Sequence, residues 1–470
     1  MIASHRTEAV GARHINLRYV TTISLTAALG GLLFGYDWVV IGGAKPFYEK
    51  YFGLVDTSQQ GWAMSCALIG SLIGAIVSGA ASDRWGRKKL LIGAAVLFTV
   101  SSLGTGLAES FAVFISWRIA GGAAIGLASN VSPLYIAEIA PASIRGRLVS
   151  LNQFTIVIGI LLAQVVNWLI AKPVPADFTA QQILESWNGQ VGWRWMFGIT
   201  AIPSLLFLVG SLFVPESPRW LIKTGKSTSA RQVLARLSNN SAADAEAAEI
   251  ERTIRSDSAK VDWSALFEPK VLRVLIIGIG LAVFQQWCGI NVVFNYAEEI
   301  FSAAGYSVSD ILFNIVVTGS VNLVFTILAL LLVDRWGRRK LLLLGATGLA
   351  IVYLALGYFY ANHTQGLYVL ILVMAAIACY AMTLAPITWV VISEIFPNKV
   401  RGLAMSVAVG WLWVACFILT FTFPILNAKL GAAGTFWLYS GICVAGLLFT
   451  ALKVPETKGK TLEEIEREAA

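Results

Sequence analysis

Asp37 is an ionisable group in surroundings that ordinarily exclude one. It is the single charge in the apolar stretch Gly31-Leu-Leu-Phe-Gly-Tyr-Asp37-Trp-Val-Val-Ile-Gly-Gly43. A carboxylate at bilayer depth costs roughly 2.5–3.5 kcal/mol or more, and ionisable groups retained there ordinarily mark proton or substrate sites. A structural ion pair or a protonated carboxyl is the alternative interpretation. Asp37 is therefore the first candidate for a proton-binding group.

Arg118 is the partner that the sequence offers to Asp37. It lies in Ser116-Trp-Arg-Ile-Ala-Gly-Gly122 and is the only other charge deep within the first four apolar runs. Opposite charges attract strongly at low dielectric, whereas one buried charge alone is costly. A pair that forms when Asp37 is ionised and breaks when it is protonated would link protonation to conformation. A permanently ionised structural pair is the other interpretation.

Uncharged amides within the apolar runs are candidate ligand-binding groups. Sugars present hydroxyl groups and apolar ring faces, so their sites combine amides, which both donate and accept, with an aromatic platform. The residues that fit are Gln153, Gln285, Gln286, Asn291, Asn322 and Trp389. Gly289 separates Gln286 from Asn291, and a helix break there would turn both toward one cavity. Amides also bridge helices, which is the interpretation that we favour for Gln164 and Asn167.

The composition is that of a membrane protein. Of 470 residues, 57% are hydrophobic and 13% charged, against about 45–50% and 25% in globular domains. The net charge of +8 comes from Lys and Arg in short loops, so it indicates membrane topology and no nucleic-acid partner. Five Cys within apolar runs and three scattered His indicate neither disulfides nor a metal site. We expect no cofactor and no signal peptide.

Twelve apolar runs are long enough to cross a bilayer, which takes about 20 residues. Their approximate limits are 17–43, 61–82, 90–108, 111–136, 148–171, 195–214, 272–296, 310–333, 340–361, 367–392, 402–424 and 435–453. A polar insert with short amphipathic helices, such as the one over 229–237, separates six runs from six. The sequence therefore predicts an all-α membrane protein with two six-helix bundles, 1–214 and 271–454, a linker over 215–270 and a tail over 455–470.

Basic residues are concentrated in the loops after the second, fourth, eighth and tenth runs. The opposite loops hold little beyond Lys45, Lys50, Lys172, Arg194 and Lys429. By the positive-inside rule both termini and the insert are cytoplasmic. We expect the protein to be a multi-pass protein of a plasma membrane, most simply a bacterial inner membrane.

The two halves repeat three motifs in the same order. The first-half copies are Asp83-Arg-Trp-Gly-Arg-Lys-Lys89, Glu138-Ile-Ala-Pro-Ala-Ser-Ile-Arg145-Gly and Pro215-Glu-Ser-Pro-Arg-Trp220. The second-half copies are Asp334-Arg-Trp-Gly-Arg-Arg-Lys340, Glu394-Ile-Phe-Pro-Asn-Lys-Val-Arg401-Gly and Pro455-Glu-Thr-Lys-Gly-Lys460. Two parallel repeats place a substrate site near the midplane between them, reached alternately from each side by rocking of the halves.

These motifs, together with Gly35-Tyr-Asp37 and Gln285-Gln286 followed by Gly289-Ile-Asn291, resemble the sugar porter family of the major facilitator superfamily. The resemblance covers nearly the whole chain and implies the major facilitator fold, a sugar or polyol as substrate, and function as a monomer. In similar symporters the Asp matching Asp37 accepts the proton and the Arg matching Arg118 is its partner, whereas facilitators carry Asn. The six amide and Trp positions match sugar-contacting positions of similar carriers.

Several positions near the presumed cavity depart from the family pattern. Trp38 stands where a small residue is usual, Asn295 replaces a Tyr, Ala385 replaces a Gly before Pro386, and Leu412 occupies a polar position. With Phe34, these are candidate specificity positions. Because they redistribute bulk and hydrogen-bonding capacity, another hexose, a pentose or a cyclitol is possible beside xylose or glucose.

Charged residues of the repeated motifs form a candidate gate network at the predicted cytoplasmic face. A network of pairs biases two states where one exposed pair, worth about 0–1 kcal/mol, would not. Its members are Asp83, Arg87, Glu138, Arg145, Glu216, Arg219, Asp334, Arg338, Glu394 and Arg401. Orientation by positive charge alone is the alternative, and both can hold. Pro386 and Gly289 are candidate hinges, although Pro also makes static kinks.

Proton-coupled sugar import is the function that these features favour. A proton-independent uniporter is the first alternative, and a transporter-like sugar sensor is the second, although sensors commonly carry a longer cytoplasmic tail than the residues after the twelfth run. A membrane enzyme is disfavoured because the sequence has no nucleophile with a base, no metal-spaced ligand set and no phosphate loop. The run Gly121-Gly-Ala-Ala-Ile-Gly126 indicates close helix packing.

Overall fold

A computed structural model of the chain describes residues 16–141, 143–175, 178–238, 240–256, 263–364, 366–397 and 400–458. All the regular structure in these ranges is helical. The helices of the first half are α1 (Leu17–Phe52), α2 (Thr57–Trp85), α3 (Arg87–Gly106), α4 (Phe111–Ile139), α5 (Arg145–Ile170), α6 (Ala180–Glu185), α7 (Trp193–Gly198) and α8 (Ala201–Phe213). A π-helical turn, Asn188–Gly192, precedes α7 and lengthens that span beyond its predicted start at residue 195.

The insert forms α9 (Pro218–Lys223), α10 (Ser227–Leu237) and α11 (Asn240–Ser256), followed by a 3-10 turn over Trp263–Phe267. The predicted amphipathic helix over 229–237 is confirmed as part of α10, which buries Ala230, Leu234 and Leu237. The insert also holds the start of α1, because the Asn16 amide donates to the Leu237 carbonyl over 2.9 Å.

The second half contains α12 (Pro269–Trp287), α13 (Ile290–Asn295), α14 (Ala297–Ala303), α15 (Val308–Trp336), α16 (Arg338–Ala361), α17 (Leu367–Met382), α18 (Leu384–Ile395) and α19 (Arg401–Lys453). Eleven helical segments of the described chain are long and apolar enough to cross a bilayer, and the last of them spans 53 residues. Non-helical dihedrals at Gly431, with φ 67° and ψ 174°, divide α19 into two spans. The twelve predicted spans are therefore confirmed.

Two further breaks interrupt spans of the second half. Gly289 has φ 88°, in the left-handed region that favours glycine, and separates α12 from α13. The predicted break between Gln286 and Asn291 is confirmed. Thr383, with φ −127° and ψ −88°, separates α17 from α18 and places Pro386 in the first turn of the new helix, where its missing N–H needs no partner.

Small residues let the helices of the first half approach closely. A Cβ on Gly122 of α4 would lie 1.9 Å from the Ala67 carbonyl oxygen of α2. A Cβ on Gly159 of α5 would lie 2.0 Å from the Leu32 carbonyl oxygen of α1. The prediction that the glycine run in α4 serves helix packing is confirmed, since contacts this short exclude any side chain.

The predicted end of the first span, at residue 43, is wrong. Helix α1 continues to Phe52 and carries Lys45 and Lys50, which the sequence had assigned to a loop. Arg194 and Lys429 likewise lie within α7 and α19. Lys45 is only 2% exposed, so its charge is neutralised inside the protein and does not mark the end of the span.

The bundle has two ends that differ in charge. We call the end that carries Arg87, Arg145, Arg338 and Arg401 the basic end, and the opposite end, where α1 carries Lys45, the Lys45 end. The halves contact each other chiefly where α2 packs against α19 and α5 against α15. The substrate path of a two-half carrier would lie between these contacts.

Candidate functional site

Asp37 and Arg118 form a buried ion pair between α1 and α4. Arg118 Nη1 donates to Asp37 Oδ1 over 2.8 Å, and Nη2 to the Asp37 carbonyl oxygen over 3.4 Å. Asp37 is 6% and Arg118 3% exposed, so water screens the pair little. The guanidinium also lies 5.4 Å from the centre of the Phe197 ring. The structure thus brings together the two charges that the sequence nominates for proton coupling.

A small cavity adjoins this pair. Its volume is about 10 Å³, close to the minimum for one water molecule. The second carboxylate oxygen of Asp37 and the Nε of Arg118 have no hydrogen-bond partner within the described residues. The cavity is lined by both halves, since Asn295 of α13 contributes beside Asp37, Trp38 and Arg118. The Asp37 carboxylate therefore faces the boundary between the halves.

Three of the predicted amides lie together at the Gly289 break. Gln286 Nε2 donates to Gln285 Oε1 over 3.0 Å, and the side-chain Nδ2 of Asn291 donates to Gln286 Oε1. Gln285 in turn donates to the Ala385 carbonyl oxygen, 3.4 Å away, which joins this cluster to α18. All three amides are less than 9% exposed. These groups bond to one another and can exchange those bonds for sugar hydroxyls.

Gln153, Asn322 and Trp389 are not part of this hydrogen-bonded amide cluster. Within the described residues, no hydrogen bond joins any of the three to it. Gln153 is exposed on α5 and Asn322 is buried on α15, the helix of the other half that packs against α5. Trp389, on α18, is 37% exposed. The predicted sugar-binding set is thus distributed over both halves.

The predicted specificity positions fall into two groups. Phe34 and Trp38 of α1 contact Trp413 of α19, with ring centroids 6.0 Å and 6.2 Å from it, so the three rings close the boundary between the halves. Ala385 accepts the bond from Gln285, and Leu412 is buried. Sequence reasoning missed Trp413. The available signal was that Trp413 directly follows Leu412, a candidate specificity position.

At the basic end, Arg87 organises the first-half motifs. Its Nε and Nη2 donate to the two carboxylate oxygens of Glu138 over 2.8 and 2.9 Å, a bidentate pair. Its Nη1 is 3.3 Å from Asp83. The Arg87 and Lys88 amides donate to Glu216 over 2.9 and 3.1 Å. These contacts tie α2, α3, α4 and the start of the insert together.

The second half repeats this arrangement. Arg338 Nη2 lies 3.3 Å from Glu394, and the Arg338 and Arg339 amides donate to Glu456 over 3.0 and 3.1 Å. Burial raises the pKa of Glu456, but the backbone amides of Lys458, Arg338 and Arg339 outweigh it and lower that pKa below its usual value. Sequence reasoning named Glu216 but missed Glu456, its counterpart in the repeated Pro-Glu motif.

The remaining members of the predicted gate network act locally. Arg145 donates to the Ala140 carbonyl oxygen, 3.3 Å away, and Arg401 to that of Phe396 over 3.2 Å, so each closes the loop before its own helix. Arg219 lies in the first turn of α9. The Asp334 side chain lies outside the described part of the chain. The Arg87–Glu138 and Arg338–Glu394 ion pairs each join helices of one half.

Comparison with known proteins gives consistent matches over nearly the whole chain. Residues 23–469 match the family model described as "Sugar (and other) transporter". The chain is 39% identical to the D-xylose-proton symporter of Escherichia coli (strain K12), covering 96% of each chain. It is 37% identical to the arabinose-proton symporter of Bacillus subtilis (strain 168), covering 97% of this chain and 96% of that one.

A solved structure gives the same result for the fold. The inward-open conformation of the xylose transporter from E. coli superposes with a TM-score of 0.83 at 37% identity. The match covers 96% of this chain and all of that one. The all-helical, two-half architecture is therefore the major facilitator fold.

Proposed function

The chain belongs to the sugar transporter family, and from that premise we propose that it is a secondary active transporter that imports a monosaccharide or polyol together with a proton. The observation that carries this proposal is the buried pair of Asp37 and Arg118 beside a cavity at the boundary between the halves. A facilitator needs no such acid. The relatives that bear xylose-proton and arabinose-proton symporter names support the same coupling.

Asp37 is the proposed proton acceptor and Arg118 its partner. While the carboxylate is ionised, the 2.8 Å bond to Arg118 holds α1 against α4. Protonation removes the negative charge of Asp37 and weakens the bond to Arg118. The guanidinium, which also contacts the Phe197 ring, is then free to move. Because Asp37 lines a cavity that Asn295 of the other half also lines, this change acts where the two halves meet. Protonation is thereby coupled to alternating access.

The sugar is proposed to bind between the halves near the amide cluster. Its hydroxyl groups would replace the bonds that Gln285, Gln286 and Asn291 make with one another. Gln153, Asn322 and Trp389 would approach from α5, α15 and α18 when the halves close on the ligand. The rings of Phe34, Trp38 and Trp413 narrow the site on one side, and Asn295, Ala385 and Leu412 are the other proposed specificity positions.

The proposed topology follows from the charges at the two ends. We place the basic end, both termini and the insert in the cytoplasm, in a bacterial inner membrane. We take 1–214 and 271–454 as the rocking bundles, 215–270 as the linker and 455–470 as the tail, in a carrier that works as a monomer. The two basic-end networks, built on Arg87 and Arg338, would stiffen each bundle and stabilise the state closed at that end.

Uptake by proteoliposomes tests this function. Purified protein is reconstituted, and accumulation of labelled xylose, arabinose, glucose and a cyclitol is followed with and without an inward proton gradient. We expect the wild type to concentrate one of these sugars only under the gradient, and the Asp37→Asn variant to equilibrate it without concentrating it.

Other outcomes separate the alternatives. Equilibration without accumulation by the wild type would show a uniporter. Binding, detected as a rise in thermal stability with one ligand of the panel, without any uptake would show a sensor. Accumulation by the Asp37→Asn variant as strong as that of the wild type would overturn the assignment of the proton to Asp37.

A further inference from the structure

A second buried cluster of charges lies at the Lys45 end, away from the proposed proton and sugar sites. Lys45 Nζ is 2.5 Å from Glu299, 3.1 Å from Glu49 and 3.4 Å from Glu298. The Lys45 side chain is 3% exposed, and the three carboxylates are between 14% and 22% exposed. The ammonium also lies 5.9 Å from the centre of the Tyr296 ring. One buried ammonium group is thus surrounded by three carboxyl groups.

The partners of Lys45 come from different halves. Glu49 lies one turn further along α1, whereas Glu298 and Glu299 are in the first turn of α14. The ion pairs to α14 therefore join the first half to the second. At the basic end, the Arg87–Glu138 and Arg338–Glu394 ion pairs each stay within one half. Separation of the halves at the Lys45 end must break the Lys45 contacts to Glu298 and Glu299.

We propose that the ion pairs from Lys45 to Glu298 and Glu299 form an ionic latch that holds the Lys45 end closed. The proposal rests on the transport function above, because only a carrier needs this end to open. Glu49 gives the latch its reversibility. Because Glu49 moves with Lys45, the ammonium keeps a charged partner when the halves part. A buried Lys without such a partner would oppose opening far more strongly.

Other contacts at this end agree with a closed state. The Val174 amide, in the segment after α5, donates to Ser309 Oγ of α15 over 2.9 Å. A Cβ on Gly61 of α2 would lie 2.4 Å from the Phe421 carbonyl oxygen of α19. The halves are therefore in contact at the Lys45 end between α1 and α14, between the segment after α5 and α15, and between α2 and α19. The latch is the charged contact in this set, so substitutions that change charge can test it.

Spin-label distances in the purified full chain test the latch directly. Labels at Val55→Cys, after α1, and Tyr368→Cys, in α17, report the separation of the halves, because both side chains are exposed near the Lys45 end and the native Cys are largely buried. We expect Lys45→Met and Glu299→Gln each to raise the ratio of open to closed populations by about tenfold, within the range of conformational couplings. Lys50→Met is the matched control, because Lys50 lies on the same helix, one turn from Pro46. This variant should leave the ratio of open to closed populations unchanged.

Rescue distinguishes a latch from a merely structural site. The reversed pair Lys45→Glu with Glu299→Lys should restore much of the closed population that either single substitution loses. Should Lys45→Met fail to fold, Glu299→Gln keeps the shape of the side chain and still removes the charge. Distances unchanged in Glu299→Gln, or a reversed pair as open as its single variants, would overturn the proposal.

A transport measurement keeps this proposal separate from proton coupling. Counterflow of sugar across the membrane should change its KM in Glu299→Gln, because the fraction of carriers open at the Lys45 end changes. The proton requirement should stay that of the wild type. If sugar transport by the wild type does not depend on protons, the proposed function is refuted, whereas the distance test of the latch still applies.

Discussion

The pairing of Asp37 with Arg118 makes a quantitative prediction for stability. Both side chains are almost fully buried, and their charged atoms are 2.8 Å apart. Removing one partner of a buried pair costs roughly 3–5 kcal/mol, because the remaining charge is left without compensation. Arg118 keeps the Asp37 carbonyl oxygen and the Phe197 ring as partial compensation. Asp37→Asn should therefore lower the free energy of unfolding by about 3 kcal/mol, the low end of that range.

The double variant separates this account from simple damage to packing. Asp37→Asn with Arg118→Gln removes both charges and leaves polar side chains of similar reach. Replacing both members of a buried pair is often close to neutral, so we expect the double variant within about 1 kcal/mol of the wild type. The coupling between the two sites is then about 3 kcal/mol or more, well above the additivity error of roughly 0.5 kcal/mol for independent sites.

Reversible unfolding of the purified protein in detergent measures all four members of this cycle. The exposed pair of Arg252 and Glu249 on α11, with side chains 77% and 65% exposed, is the control. The double-mutant cycle for this exposed pair should give a coupling energy of less than about 1 kcal/mol. A double variant at Asp37 and Arg118 as unstable as the sum of its single variants would refute the argument, since no pairing energy would then exist.

Three further predictions follow from other parts of the structure. Gly159→Ala should lower the free energy of unfolding by about 1–3 kcal/mol, because the added Cβ overpacks against Leu32. Gly146→Ala should not lower it, because a Cβ added at Gly146 meets no neighbouring residue within 4 Å. Thermal unfolding of both variants checks this. Because the pKa of Glu456 is lowered on folding, its contribution to stability is present above the usual value of 4.5 and is lost as pH falls through the lowered pKa. The advantage of wild type over Glu456→Gln in the unfolding midpoint should therefore be full at pH 7 and shrink below about pH 4.5. Trp38→Thr should shift the preference between a pentose and a hexose by roughly tenfold toward the larger sugar, as measured by competition for uptake.

Much of the fold could be predicted because a bilayer imposes a simple rule on the sequence. Spans read directly from hydropathy, the glycines of α4 indicated close packing, and Gly289 marked a break through the conformational freedom that it alone supplies there. The repeat of Asp83-Arg-Trp-Gly-Arg87 at Asp334 identified two related halves. Each of these signals is local or is an internal comparison, so no knowledge of tertiary contacts was needed.

What could not be predicted depends on partners that are distant in the sequence. Lys45 looked like the end of a span, since a lone Lys is excluded from a bilayer, and only Glu298 and Glu299, from the other half, make its burial possible. Trp413 was missed for the same reason, because its role comes from ring contacts with α1. Hydropathy reports whether a residue can enter the membrane unaided, and it carries no information about which residue meets it there.

Proton movement driven by sugar tests the central claim most directly. Proteoliposomes that contain a pH-sensitive dye are given the transported sugar outside, with no initial gradient, and the internal pH is followed. We expect acidification of the interior by the wild type, and none by Asp37→Asn, although that variant still exchanges labelled sugar across the membrane. Equal acidification by Asp37→Asn, or none by a wild type that transports sugar, would contradict the account.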